Sequence, residues 1–248
     1  MWLVLCTSTD HSAIWLYQGL RQLAMAPVEL VLAESLGYGC SWEHRLNDGG
    51  AELKFNLPDG RHFCSSTIRG AINRLVSPPS AIAQQAASSD REYALAEQQA
   101  FYLSWLHGLP GVVINRPSTM GLCGPWLHPS EWIYRAARAG LPVPRRRYRS
   151  GLEAPELSYG SLVPPGASTV NLISFRGQLF GGNPGDATAR ACANLAQQAG
   201  TEILGIELFE DEHGFWTFAG ANCCPELCGG GRPLIQSLAQ ALAQGGRS

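Results

Sequence analysis

The sequence predicts an α/β protein, and three stretches carry that prediction. Trp2–Cys6 is a short apolar run, a helical pattern follows it, and Val28–Leu32 is a second strand-like run. A β-α-β start of this kind makes a parallel first sheet, because parallel neighbours need a crossover between them. Near the other end, Leu204–Phe209 and Phe215–Ala219 flank the turn residues Asp211-Glu212-His213-Gly214 and read as paired antiparallel strands.

Along the chain, Asp10 is placed to cap a helix to about Ala24, with Ile14, Tyr17, Leu20 and Ala24 at helical spacing. Turn signals at Asn47-Asp48-Gly49-Gly50 and Pro58-Asp59-Gly60 bracket an alternating segment, 52–57, which reads as a hairpin over 47–62. Residues 77–90 are rich in Pro, Ser and Ala and read as a loop. A helix over 91–106 follows, with Tyr93, Ala96, Ala100 and Leu103 expected on its inward face, and a short strand over 111–114. Ser130 is expected to cap a helix carrying Trp132, Ile133, Ala136 and Ala137 inward, closed by Gly140. Residues 150–168 read as a loop, 169–174 and 178–180 as strands. Asp186 is the expected cap of a helix with Ala191, Leu195 and Ala199 facing in. A last amphipathic helix carries Leu234, Ile235, Leu238 and Leu242.

Composition narrows the function classes. The 248 residues suffice for one large domain or two small ones, and the net charge of −2 gives no electrostatic case for nucleic acid or a membrane surface. The apolar start breaks at Thr7-Ser8-Thr9-Asp10, too early for a signal-peptide core, and no 18-residue apolar run exists. The eight cysteines are scattered through a chain with no export pattern, which is the usage of a cytoplasmic protein with reduced thiols. Lys54 is the sole lysine beside 17 arginines. A mechanism that needs two lysines cannot run here.

Several short stretches, taken in order, resemble the ATP-grasp superfamily in its RimK-like or glutathione-synthetase-like branch. Val113–Ser118 resembles the segment that ends the family's first domain. Ala136–Pro144 resembles the following helix and its Gly-Leu-Pro-Val-Pro exit. Thr169–Phe180 resembles a strand pair of the nucleotide domain, and Leu204–Asn222 the metal-binding hairpin. The resemblance spans nearly the whole chain and implies a pre-ATP-grasp-like α/β domain over 1–115, then a truncated, reduced ATP-grasp-like α+β domain over 116–248.

The departures from the family pattern are as informative. Only 24 residues separate Pro144 from Thr169, where the family carries the small β-subdomain that covers the nucleotide and supplies a lysine. The other phosphate-binding lysine of the family falls at His128. Arg145, Arg146, Arg147 and Arg149 could replace the lysines in charge but not in position. Family Mg²⁺ is held by three groups. Glu207 matches the first and Asn222 the last, while the middle carboxylate falls at Gly220. Arg176 is the nearest match to the arginine that steadies the acyl phosphate, a weak catalytic candidate. Mg²⁺ wants hard oxygen ligands, so losing one of two carboxylates erodes the site.

The resemblance thus implies a pseudoenzyme-like, non-catalytic protein that needs no cofactor and binds a partner, such as an active ATP-grasp ligase or a peptide. Two alternatives stand beside it: an active carboxylate–amine ligase using ATP and Mg²⁺ through an atypical site, and a small-molecule binding protein. Without Mg²⁺, Glu207 would need another cation, with Arg176 and His213 as candidates. Cys223, Cys224 and Cys228 beside His213 invite a zinc or redox reading, but a single C-x₃-C pair fits small buried loop residues better. Gly181–Asp186 before a helix reads as a turn and cap rather than an anion site, while for Asp10-His11, near the end of the first strand, a ligand contact and a helix cap explain Asp10 equally well.

Overall fold

A computed structural model describes residues 1–39, 41–48, 50–79, 85–144 and 163–245. The arginines at 145–149, and the loop expected over 150–168 as far as residue 162, lie outside these. The chain forms two compact units, Met1–Trp126 with Glu226–Ser248, and Leu127–Pro225.

The first unit is built on a four-stranded parallel sheet. It comprises β1 (Trp2–Cys6), β2 (Val28–Leu32), β6 (Gly70–Asn73) and β7 (Val112–Ile114), in the order β2-β1-β6-β7. Every residue of β1 is buried, as the central strand of a parallel sheet must be. Helix α1 (His11–Gln22) makes the crossover from β1 to β2, and the Asp10 carboxylate caps it by accepting from the Ala13 N–H at 3.0 Å. A short helix α2 (Ala33–Gly37) follows β2. The hairpin expected over 47–62 is part of a separate antiparallel sheet of three strands, β3 (Ser41–Asn47), β4 (Gly50–Asn56) and β5 (His62–Cys64).

Helix α3 (Arg91–His107) lies in this unit, turned away from most of its expected face. Tyr102, Trp105 and Leu106 are buried and Leu103 is half-buried against the core, whereas Tyr93, Ala96 and Ala100 are exposed. The helix is apolar on more than one side, so periodicity alone does not choose its core face. Aromatic packing does. Trp105 meets Trp42, Phe55 and Tyr102 edge-on at centroid distances of 5.2, 5.7 and 5.8 Å, and Trp42 stacks on Phe55 at 5.0 Å.

Helix α6 (Gly231–Gly245) also belongs to the first unit, so the boundary expected between 115 and 116 does not match this division. Its apolar stripe of Leu234, Ile235, Leu238 and Leu242 is buried, and Ile235 fills the space a side chain at Gly19 of α1 would occupy. The chain therefore returns to its first unit after Pro225.

The second unit is an antiparallel sheet, β11-β10-β8-β9, built from β8 (Thr169–Phe175), β9 (Gln178–Phe180), β10 (Ile203–Glu210) and β11 (Trp216–Asn222). The strands expected over 204–219 are thus antiparallel neighbours. Helices α4 (Pro129–Ala139) and α5 (Asp186–Ala199) share one core with this sheet, formed by Trp132, Ala136, Leu195, Leu204, Leu208 and Phe218 among others.

Two expected caps differ. His128, not Ser130, is the N-cap of α4, with Pro129 in the first turn, and its imidazole Nδ1 accepts from the Ser130 N–H at 3.2 Å. Proline fits the first turn because its missing N–H would be unpaired there anyway. Gly185, not Asp186, caps α5, while the Asn183 side-chain Oδ1 accepts from the Gly185 N–H at 3.2 Å and shapes the turn. Among the described residues no helix is long and apolar enough to cross a membrane.

Candidate functional site

The residues singled out from the hairpin share one face of the second unit's sheet. Side chains alternate across strands, so Leu204, Ile206 and Leu208 point into the helix-covered core. Gly205 and Glu207 then face the opposite side. Glu207 of β10 pairs with Asn171 of β8 on one flank and Gly220 of β11 on the other, while Gly205 pairs with Asn222. The register shifts just after Glu207, so a bulge separates the Glu207–Gly220 pair from Leu208–Phe218.

A side chain at Gly220 would start beside the Glu207 carboxylate. A Cβ built there would lie 3.9 Å from Glu207 Oε2, an ordinary contact distance. The backbone thus has room for a side chain to start there, and the sequence puts a hydrogen atom in its place. Asn222 is engaged locally: its Oδ1 accepts from the Cys224 N–H at 2.9 Å. This is an Asx turn that leads the chain out of β11. Gly205 has a separate reason to be glycine, since a Cβ there would meet the Pro225 side chain at 2.4 Å.

Neither candidate cation reaches Glu207. Arg176 sits in the tight turn between β8 and β9 at φ 48°, followed by Gly177 at φ 80°. Such positive values at both central positions belong to the turn type favoured in two-residue hairpins. From there Arg176 Nη2 donates to Glu202 Oε1 at 3.0 Å, and the guanidinium lies 5.5 Å from the Phe175 ring centroid. Glu202 precedes Glu207 by five residues, roughly 16 Å along an extended strand. His213 is in the opposite turn, 3.6 Å from Glu212, and its N–H donates to Asp211 Oδ1 at 2.9 Å. The N–H of Phe215, above all, holds the Asp211 carboxyl below the usual carboxylate range. Among the described residues Glu207 has no hydrogen-bonding or ion-pair partner that would replace a metal.

The cysteine reading gains no support. Among the described residues no three His, Cys, Asp or Glu side chains gather as a metal site. Cys223 and Cys224 are not joined in a disulfide, and burial pushes the Cys223 thiol up to about 11, away from redox-active thiolate character.

Sequence reasoning missed a second polar cluster, in the first unit at the carboxyl ends of β1 and β6. Arg74, only 6% exposed, grips Asp10 with Nε and Nη2 at 2.7 and 3.1 Å. Asp10 is therefore both the expected helix cap and an ion-pair partner. The Ser12 hydroxyl donates to Glu226 Oε1, and the Leu227 N–H donates to the Ser12 hydroxyl at 2.8 Å. The Ser12 hydrogen bond, first, and Arg74's charge among smaller causes hold the Glu226 carboxyl below its usual range. A depressed folded pKa gives stability that is present above the unfolded value and is lost as pH falls through the folded one. The Ser12→Ala variant should therefore show a shallower loss of stability than the parent below about pH 4.5. Urea melts at pH 7 and pH 3.5 check this; parallel pH profiles would show that Glu226 gains nothing from Ser12. No signal in the sequence links 12, 74 and 226, which only the fold brings together.

The architecture matches solved ATP-grasp proteins. Macrocyclase MdnC of Microcystis aeruginosa MRC, bound with precursor peptide MdnA, aligns with a TM-score of 0.73 at 13% identity, over 98% of this chain and 100% of that one. A RiPP-associated ATP-grasp ligase of Chryseobacterium gregarium, in complex with ADP and a leader and core peptide, gives 0.67 at 9% identity over 98% and 96%. The ATP-grasp ligase PsnB, complexed with minimal precursor, Mg and ADP, gives 0.68 at 14% identity over 100% and 98%. No protein-family model matches the chain, and no curated protein does. The chain therefore has an ATP-grasp-like fold.

Proposed function

We propose that the protein is a non-catalytic ATP-grasp-like protein that binds a peptide partner. The observation that carries this reading is Gly220 standing opposite Glu207 on the open sheet face. The described residues of this sheet face argue against a magnesium nucleotide. One carboxylate remains, the neighbouring position has no ligand atom, and Asn222 Oδ1 already accepts from the Cys224 N–H. Polyphosphate also needs compensating cations, and Lys54 is the sole lysine of the chain. The peptide half of the reading draws on the solved structures of similar fold, of which MdnC, PsnB and the Chryseobacterium gregarium ligase were each solved with a precursor, leader or core peptide.

Titration calorimetry with Mg–ATP tests the reading directly. The expected dissociation constant is about millimolar or weaker, less than about 4 kcal/mol of binding. Glu207→Gln should shift unfolding free energy by no more than about 0.5 kcal/mol, as for a partly exposed side chain without a partner. Micromolar Mg–ATP binding, or an ATP-consuming activity that Glu207→Gln abolishes while the melt stays unchanged, would establish the ligase reading instead.

A further inference from the structure

Strand β3 is the outer strand of the three-stranded sheet β3-β4-β5, and its register fixes which of its backbone groups are unused. Asn47 pairs with Gly50 with two residues between them, so these two close the first hydrogen-bonded pair of the hairpin. Alternation then sends the N–H and C=O groups of Ser41, Glu43, Arg45 and Asn47 to β4, and those of Trp42, His44 and Leu46 outward. Among the described residues no backbone group bonds to this outward set. Other edges are covered. Arg61 Nη1 donates to the Leu30 carbonyl oxygen of β2 at 2.9 Å, and the Phe218 N–H of β11 donates to the Pro142 carbonyl oxygen at 2.8 Å. A long bare edge is a template for another strand.

Ladder geometry and charge together select that strand. An added antiparallel strand must set outward residues against outward residues. For a second copy of β3, the registers with most overlap set His44 opposite His44, Trp42 or Leu46. The second of these brings Glu43 opposite Glu43, and the third brings Arg45 opposite Arg45. Only the first sets Glu43 opposite Arg45, and it does so twice. Those facing pairs are the non-hydrogen-bonded ones, where Cα atoms approach to about 4.5 Å and opposite charges stabilise. Both side chains are available, Glu43 38% exposed and Arg45 66% exposed. In the single chain Arg45 folds along its own strand to Glu43, and Lys54 of β4 lies 3.8 Å from the same carboxylate. On the other sheet face the same register sets Leu46, 69% exposed, opposite the half-buried Trp42. The His44 imidazole is held toward α3, its Nε2 2.9 Å from the Ser104 hydroxyl.

We propose that β3 pairs with β3 of a second copy of this chain about a two-fold axis at His44, giving a closed dimer with a continuous sheet β5-β4-β3-β3-β4-β5. About six backbone hydrogen bonds and two reciprocal Glu43–Arg45 pairs hold it. The partner is a second copy because the charge order along β3 complements itself in one register and opposes itself in its neighbours.

Sedimentation equilibrium of the full chain at low salt tests this. One strand pair makes a small interface, so a dissociation constant of about 10 μM is expected. Glu43→Arg and Arg45→Glu each set like charges opposite one another twice, and each alone should weaken the dimer by at least about tenfold. Mixed in equal amounts, the two variants should associate about as tightly as the parent, because every facing pair is again of opposite charge. Leu46→Pro removes an outward N–H that β4 does not use and should also prevent pairing. Thermal melts check that each variant folds. The proposal is overturned if the parent stays monomeric up to about 200 μM, twenty times the expected constant. It is overturned equally if the parent dimerises while the mixed charge variants do not associate, or if Leu46→Pro dimerises like the parent.

Discussion

Replacing Arg74 with methionine is expected to cost about 3 kcal/mol of stability, because it strands a carboxylate in a protected place. Asp10 is 13% exposed at its side chain and receives two guanidinium hydrogen bonds. Methionine keeps much of the volume, so the loss reports the charge rather than a cavity. Glu226 would lose the favourable Arg74 field as well. At roughly 2–4 °C per kcal/mol for a domain of this size, the melting temperature should fall by about 10 °C. The partner change separates the pair from its surroundings. Asp10→Asn removes the charge yet keeps a good N-cap for α1. The double variant Asp10→Asn/Arg74→Met should therefore be more stable than Arg74→Met alone, since no unpaired charge is left. Urea unfolding of the two single variants and the double variant measures this coupling. A loss below about 1 kcal/mol for Arg74→Met would mean that Asp10 is well solvated without its arginine.

The contrast between Asp10 and Arg74 shows what was legible in the sequence. Asp10 could be read as a cap because capping is local, a matter of the next three residues. Its ion pair with Arg74 depends on β1 and β6 being neighbours, and four-residue β6 has no turn signals or alternation that would announce it. The same division runs through the candidate site. The antiparallel pairing of β10 and β11 followed from a run, a turn and a run, and the register then placed Gly220 opposite Glu207. The expected partners of Glu207 failed because side-chain reach is set by strand geometry. Arg176 is five residues from Asn171, the β8 partner of Glu207, but a turn carries it to the far end of β8, where its guanidinium pairs with Glu202. The boundary missed the return of α6 for a related reason. An amphipathic helix announces that it has a core face, not which unit supplies the other half of the core.

Helix α3 is where sequence and structure differ most, and it carries the second large prediction. Trp105 is fully buried and holds the edge-on contacts to Trp42, Phe55 and Tyr102. Trp105→Ala should cost about 3–5 kcal/mol, the range for emptying an aromatic site in a packed core. It should also release Trp42 and Tyr102, which pack edge-on against it. Trp105→Phe should behave differently. The indole Nε1 is buried with no acceptor among the described residues, a state that costs about 1–3 kcal/mol by itself. Phenylalanine removes that orphaned N–H while keeping most of the apolar contact, so its net cost should be under about 1 kcal/mol. Chemical denaturation of the two variants distinguishes the cases. Equal losses for Phe and Ala would show that the indole N–H has an acceptor holding Trp105 in place. A large loss for Ala alone would show that aromatic packing fixes the core face of α3.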